Sequence, residues 1–113
     1  MRAVVPFLIG FDNAAIMRLW DADGSAYALN SATEIRVAFG GVTITRTSKS
    51  AGVDWDSTGR LSLKPAQLSE DLSGLANGLH AATVLVKDAS NPAGIQFGDQ
   101  ASNLLFMDVR GAA

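Results

Sequence analysis

The sequence predicts an all-β protein, an antiparallel β-sandwich of about eight or nine strands with one short helical connection. Apolar and polar residues alternate with a period of two along most of the 113-residue chain, the pattern of strands that bury one face. Clusters of Gly, Asp, Asn and Ser interrupt this alternation roughly every 8–12 residues, a spacing typical of sandwiches and barrels. The chain length leaves room for one domain, residues 1–113.

The N-terminal apolar run, Ala3–Ile9, predicts the first strand. Met1 and Arg2 in front of it give some likeness to a secretion signal. However, the run is short, it contains Pro6, and no clear cleavage site follows it. The start of the chain therefore indicates a strand and synthesis in the cytoplasm.

The other strands follow from further alternation between turns. Ala15–Trp20 and Ala26–Leu29 are predicted to form a hairpin across Asp21–Ser25, because Asp-Gly favours the backbone that a hairpin turn needs. Gly40-Gly41 predicts a second hairpin in the same way. The strands around this second turn and those after it are predicted at Ile35–Phe39, Val42–Thr45, Val53–Trp55, Arg60–Lys64, His80–Lys87, Ile95–Phe97 and Leu104–Arg110.

One segment departs from the β pattern. Leu68, Leu72 and Leu75 are spaced i, i+4, i+7, and Gly78 follows them. This spacing is helical, and a glycine commonly marks a helix end. We therefore predict one or two helical turns near residues 66–76, connecting two strands.

Composition excludes several classes of function. Nine Lys and Arg against eleven Asp and Glu give a net charge of −2, so no basic surplus is present for nucleic-acid binding. No apolar run is long enough for membrane insertion. The absence of cysteine excludes disulfides, thiolate catalysis and cysteine-bound zinc. Charged residues make up 18%, fewer than the roughly 25% of an average protein, which indicates a surface suited to cover by another protein.

No motif in the chain predicts catalysis, a metal or a cofactor. Asp21-x-Asp23-Gly24 lacks the glycine and glutamate positions of a calcium loop. His80, the only histidine, shares the phase of the apolar residues after it, which indicates a half-buried structural residue. No phosphate-binding glycine motif is present. Asp54-Trp55-Asp56 leaves one alternative open, because paired acids serve glycosidases and an exposed Trp stacks on sugars.

Two stretches carry a resemblance to a known family. RLWDADGSAYALNSATEIRVAFGG (residues 18–41) and GLHAATVLVKDASNPAGIQFGD (residues 78–99) are similar in order to the immunoglobulin-like domains of bacteriophage tail proteins, notably the amino-terminal domain of baseplate upper proteins. The resemblance spans most of residues 14–110. In one departure, His80 stands where such domains commonly carry Tyr.

The resemblance implies an immunoglobulin-like sandwich and a non-enzymatic virion structural protein of the tail or baseplate. Such a protein docks in multiple copies, on copies of itself and on other virion proteins that it anchors or covers. Aromatic residues are enriched at interface centres, so five are predicted at the interface, with core packing as the alternative: Phe7, Phe11, Trp20, Tyr27 and Phe97. Two other functions stay open, a head decoration protein and a carbohydrate-binding module in which Trp55 or Trp20 stacks on a host glycan.

Overall fold

Nine strands and one 3₁₀ turn make up the secondary structure in the part of the chain that the structure, a computed structural model, describes. That part comprises residues 2–19, 25–50, 52–68, 70–97 and 104–111. The strands are β1 (Arg2–Leu8), β2 (Ala15–Arg18), β3 (Ala32–Phe39), β4 (Val42–Arg46), β5 (Val53–Trp55), β6 (Arg60–Leu63), β7 (Gly78–Asp88), β8 (Asn91–Phe97) and β9 (Leu104–Arg110), with the 3₁₀ turn at Pro65–Gln67.

The strands form two sheets, which confirms the predicted all-β sandwich. The large sheet has the order β1-β9-β7-β3-β4 and the small sheet the order β2-β6-β5. In the large sheet, β8 pairs with the second half of β7 and β9 with the first half, so β8 and β9 together occupy one strand position. When β8 and β9 are counted as one strand, β4, β3, β7 and this strand correspond to the C′–C–F–G sheet of the immunoglobulin fold. The small sheet, β2-β6-β5, corresponds to its B–E–D sheet.

One pairing departs from the antiparallel prediction. β1 and β9 are parallel from the Arg2–Leu104 pair to the Leu8–Arg110 pair, whereas the other pairings described are antiparallel. Alternation shows which face of a strand is buried, but it carries no information about the direction of a partner far along the chain. The large sheet is therefore mixed.

The free edge of β1 is interrupted by proline. Ile9 N donates to Arg110 O at 2.9 Å, so the N–H groups of alternate residues before Ile9 face β9, and Pro6 faces the free edge. Proline is tolerated at such a position because no neighbour needs its missing N–H. It also makes this edge a poor template for an added strand.

The predicted hairpin between Ala15–Trp20 and Ala26–Leu29 is present only in part among the described residues. β2 pairs along its length with β6, and the second segment contributes a single bridge residue, Ala26. Tyr27 N donates to Leu19 O at 2.9 Å, and Leu19 N donates to Gly59 O at 2.8 Å. The chain after β2 is thus held by the β5–β6 turn. Residues 20–24, which include most of the predicted Asp-Gly turn, lie outside the described residues.

The inward faces of both sheets and the connection before β7 form the core. Leu68, Leu72 and Leu75 are buried, as their spacing predicts. The helical part of this connection is one 3₁₀ turn, followed by two further turns in which Asp71 N donates to Leu68 O (2.9 Å) and Leu75 N to Leu72 O (3.1 Å). In the described part of this segment, tight i to i+3 turns therefore bury the three leucines, and no α-helix is present there.

Candidate functional site: the two outer faces of the sandwich

The aromatic residues predicted at an interface occupy different environments. Phe7 is fully buried and Phe97 is 7% exposed, so the structure contradicts an interface role for these two side chains. Strand alternation turns both of them into the core. Tyr27 is partly buried, and its ring lies 5.3 Å from that of Phe97. Phe11 is 60% exposed, and Trp20 lies outside the described residues.

Tyr27 belongs to a polar cluster that closes one end of the sandwich. Its hydroxyl donates to Asp88 Oδ2 at 2.8 Å. Asp88 Oδ1 accepts from Ser90 N (3.0 Å), Asn91 N (2.8 Å) and Asn91 Nδ2 (3.1 Å). These hydrogen bonds, that of Tyr27 first, lower the pKa of Asp88 from its ordinary value. The ionised carboxylate therefore joins the segment before β3 to the β7–β8 turn, which is a structural role.

We expect Asp88→Asn to lower the melting temperature at pH 7, because the amide is a weaker acceptor for Tyr27 and the backbone N–H groups. Since folding lowers the pKa of Asp88 from 3.8, its carboxylate stabilises the fold above that pH and loses the effect as the pH falls through the lower, folded-state pKa. The difference in melting temperature between the wild type and Asp88→Asn should therefore narrow below about pH 4, as measured by thermal denaturation followed by circular dichroism. The control is Asp12→Asn, at an exposed carboxylate. A melting-temperature difference between the wild type and Asp88→Asn that stays constant from pH 7 to pH 2 would contradict the structural role assigned to the Asp88 carboxylate.

His80 forms a corner at the start of β7. Its Nε2 lies 2.8 Å from Ala76 O, and since a carbonyl only accepts, Nε2 is the donor. In the tyrosine corner of immunoglobulin folds, a Tyr near the start of strand F bonds in the same way to the backbone upstream. His80 thus makes the corner contact at the position where immunoglobulin folds carry tyrosine. The prediction that His80 is a structural residue agrees with this contact.

The Asp54-Trp55-Asp56 segment supports neither the tryptophan stacking nor the glycosidase chemistry considered from the sequence. Trp55 is 5% exposed and packs in the core, so its indole is not available for stacking. Asp56 Oδ1 accepts from Thr58 Oγ1 (2.6 Å) and Thr58 N (2.9 Å), and these bonds lower the pKa of Asp56. A glycosidase needs a general acid with a raised pKa, so Asp56 is unsuited to that role.

The outer face of the small sheet carries charges in a regular pattern. Arg18 on β2 lies directly opposite Arg60 on β6, and Ser62, next on this face of β6, lies opposite Asp54 on β5. Beside them is an open groove of about 280 Å³. Its polar lining comes from Ser50, Asp54, Asp56, Arg60, Ser62 and Lys64.

The outer face of the large sheet carries an apolar patch where β1, β9 and β7 meet. Val4, Phe106 and Ala81 are in register across these strands, and Leu79 lies on the same face two residues before Ala81. Val4 and Leu79 are each 48% exposed. We call these four side chains the β1–β9–β7 patch. These residues were not predicted as an interface from the sequence, although strands with apolar residues in both phases are the signal for such a patch.

The charges on this face are neutralised by one another. Glu34 Oε2 lies 2.9 Å from Arg36 Nη2 and 3.7 Å from Lys87 Nζ. Asp108 Oδ2 lies 3.1 Å from Arg110 Nη2. Arg36, Lys87 and Arg110 therefore each have a carboxylate partner within their own sheet, which lowers the cost of covering this part of the face with a neighbouring protein.

No family model matches the chain, and neither a curated protein nor a solved structure is significantly similar to it. Within the residues described, no helix has both the length and the apolar character to cross a membrane. The same residues include no group of three or more His, Cys, Asp or Glu that could hold a metal ion.

Proposed function

We propose that the protein is a non-enzymatic bacteriophage virion structural component, a tail or baseplate module that docks in several copies and anchors or covers its neighbours. The β1–β9–β7 patch supports this proposal, because contiguous apolar side chains on an exposed sheet face mark a protein-binding surface. The assignment to a phage tail depends on the family resemblance of residues 18–41 and 78–99.

Docking through the patch is favoured over strand addition at the edge of β1. Pro6 removes a donor from the middle of that free edge, so an added strand would lack a hydrogen bond there. Val4 and Leu79, in contrast, offer side chains that a partner can cover without matching a hydrogen-bond ladder. The contact surface is therefore a sheet face, of the kind that packs against another sheet.

Of the alternatives, a head decoration protein would use the same kind of docking at another place on the virion. A carbohydrate-binding module that stacks a sugar on tryptophan has less support. Trp55 is buried, and Trp20 lies outside the described residues. The location of the protein on the particle therefore separates the leading proposal from the head alternative.

We expect the double variant Val4→Glu, Leu79→Glu to fold normally and to lose its docking. Two carboxylates in the patch oppose its burial, and the burial of one Val or Leu side chain contributes about 1.5–3 kcal/mol to the free energy of association. Self-association, measured by sedimentation equilibrium, should weaken at least about tenfold. In immunogold electron microscopy of the phage particle, antibodies against the wild-type protein should label the tail.

The matched control is Thr43→Glu, Thr45→Glu, which places the same charges on β4, at the far side of the same outer face. It should leave association within about twofold, because surface substitutions outside a contact change free energies by about 0.5 kcal/mol or less. Label on the head would favour a decoration protein. A wild-type chain that is monomeric and absent from the particle would sink the proposal.

A further inference from the structure

Cations on the two outer faces differ in their partners. On the outer face of the large sheet, Arg36, Lys87 and Arg110 all lie in ion pairs. The exposed cations of the small sheet form no ion pair with any described carboxylate; these are Arg18, Arg60 and, just after β6, Lys64. The small sheet therefore presents positive charge that the described fold does not neutralise with an ion pair.

The placement of two of these cations opposes stability. Arg18 and Arg60 are direct cross-strand neighbours, and the Cβ atoms of such pairs lie about 4.5–5.5 Å apart. Like charges directly opposite one another destabilise a sheet. Two adjacent guanidinium groups, in contrast, suit a carboxylate or phosphate, which each group can bind through two N–H donors. Arg60 is near enough to Asp56 to help lower the pKa of that carboxyl, but no described ion pair compensates the contact between Arg18 and Arg60. An anionic ligand would relieve that contact.

The groove beside Arg60 adds hydrogen-bonding groups of both kinds. Ser62 and Lys64 follow Arg60 on the same face and supply a hydroxyl and an ammonium group. Asp54 Oδ1 accepts from Trp55 N, and Asp56 Oδ1 accepts from Thr58 and Arg60. No described group donates to Oδ2 of either aspartate, so both atoms can accept from a ligand hydroxyl.

We infer that the outer face of the small sheet binds an acidic sugar. The anionic group of the sugar lies between Arg18 and Arg60, and its hydroxyls meet Ser62, Lys64 and the two aspartates in the groove. The aspartates determine this ligand class, because a polyanion such as an acidic peptide would be repelled by two lining carboxylates. A ligand with one negative group and several hydroxyls finds a partner for each. The site lies on the opposite face from the β1–β9–β7 patch and does not depend on the proposed docking.

The test is an NMR titration of ¹⁵N-labelled protein with sodium glucuronate at constant ionic strength. We expect the amide signals of Asp54, Arg60 and Ser62 to shift in a saturable way, with glucose and acetate each binding at least tenfold more weakly. Arg60→Gln should weaken glucuronate binding at least tenfold. Arg36→Gln, the same change on the large sheet, should leave it within twofold.

Thermal denaturation of Arg60→Gln separates lost binding from misfolding. The variant loses a like-charge contact with Arg18 and a charge attraction to Asp56, so its melting temperature should stay close to that of the wild type. Equal glucuronate binding by wild type and Arg60→Gln would overturn the inference. Acetate or phosphate that binds as tightly as glucuronate would reduce the site to an adventitious ion only. Tighter binding of an Asp-rich peptide than of glucuronate would also contradict the sugar assignment.

Discussion

Replacing Phe7 by Ala lowers the free energy of unfolding by about 3–5 kcal/mol, the range for emptying a fully buried aromatic site. Phe7 is fully buried, and its ring meets that of Phe39 edge to face with centroids 5.1 Å apart. The side chain also fixes β1, an edge strand, to the core. Urea denaturation followed by tryptophan fluorescence measures the loss.

Phe11→Ala is the matched control, since it removes the same ring from a side chain that is 60% exposed. Its effect should stay within about 0.5 kcal/mol, as for most surface substitutions. The pair of variants separates core packing from docking at the N-terminal aromatics. A Phe7→Ala protein with wild-type stability but weakened self-association would restore the interface role that the sequence analysis assigned to Phe7.

Gly59→Ala should destabilise the fold by more than the roughly 1–3 kcal/mol that a left-handed backbone imposes on a side chain. Gly59 has a φ of +80°, and a Cβ there would lie 2.6 Å from Leu19 O and 3.0 Å from Tyr27 O. Both atoms belong to the backbone and cannot rotate away. The substitution must therefore separate the β5–β6 turn from the segment after β2, which thermal denaturation will detect.

Gly41→Ala isolates the steric part of this effect. Gly41 has a similar φ of +86°, but no atom lies within 4 Å of the position of its Cβ. The two substitutions share the backbone strain, so the additional loss at Gly59 measures the close approach of Leu19 and Tyr27. Equal losses in the two variants would show that this approach relaxes freely.

Sequence patterns predicted the elements whose signals are local. The alternation in β7 gave its buried face, and the Gly40-Gly41 pair gave the β3–β4 hairpin, in which Phe39 pairs with Val42. β8 begins at Asn91 and not at the predicted Ile95, because a strand that pairs only with β7 tolerates Pro92. Local signals of this kind gave the strands more reliably than their ends.

The features that sequence patterns missed depend on contacts between distant segments. The parallel β1–β9 pairing joins the two ends of the chain. Both functional faces likewise depend on strand register: Arg18 meets Arg60 only because β2 pairs with β6, and Val4 meets Phe106 only because β1 pairs with β9. A one-residue change in either register would abolish these neighbours. No local pattern specifies the register between strands so far apart.

The parallel pairing of β1 with β9 also has a mechanical consequence. The two strands run side by side over seven residue pairs, with Arg2 at one end of the ladder and Arg110 at the other. A pulling force applied between these two residues acts along both strands in opposite directions. Because the interstrand bonds are spaced evenly along a parallel ladder, they share this force in shear instead of rupturing one after another. The β1–β9 ladder therefore resists tension between Arg2 and Arg110 in shear.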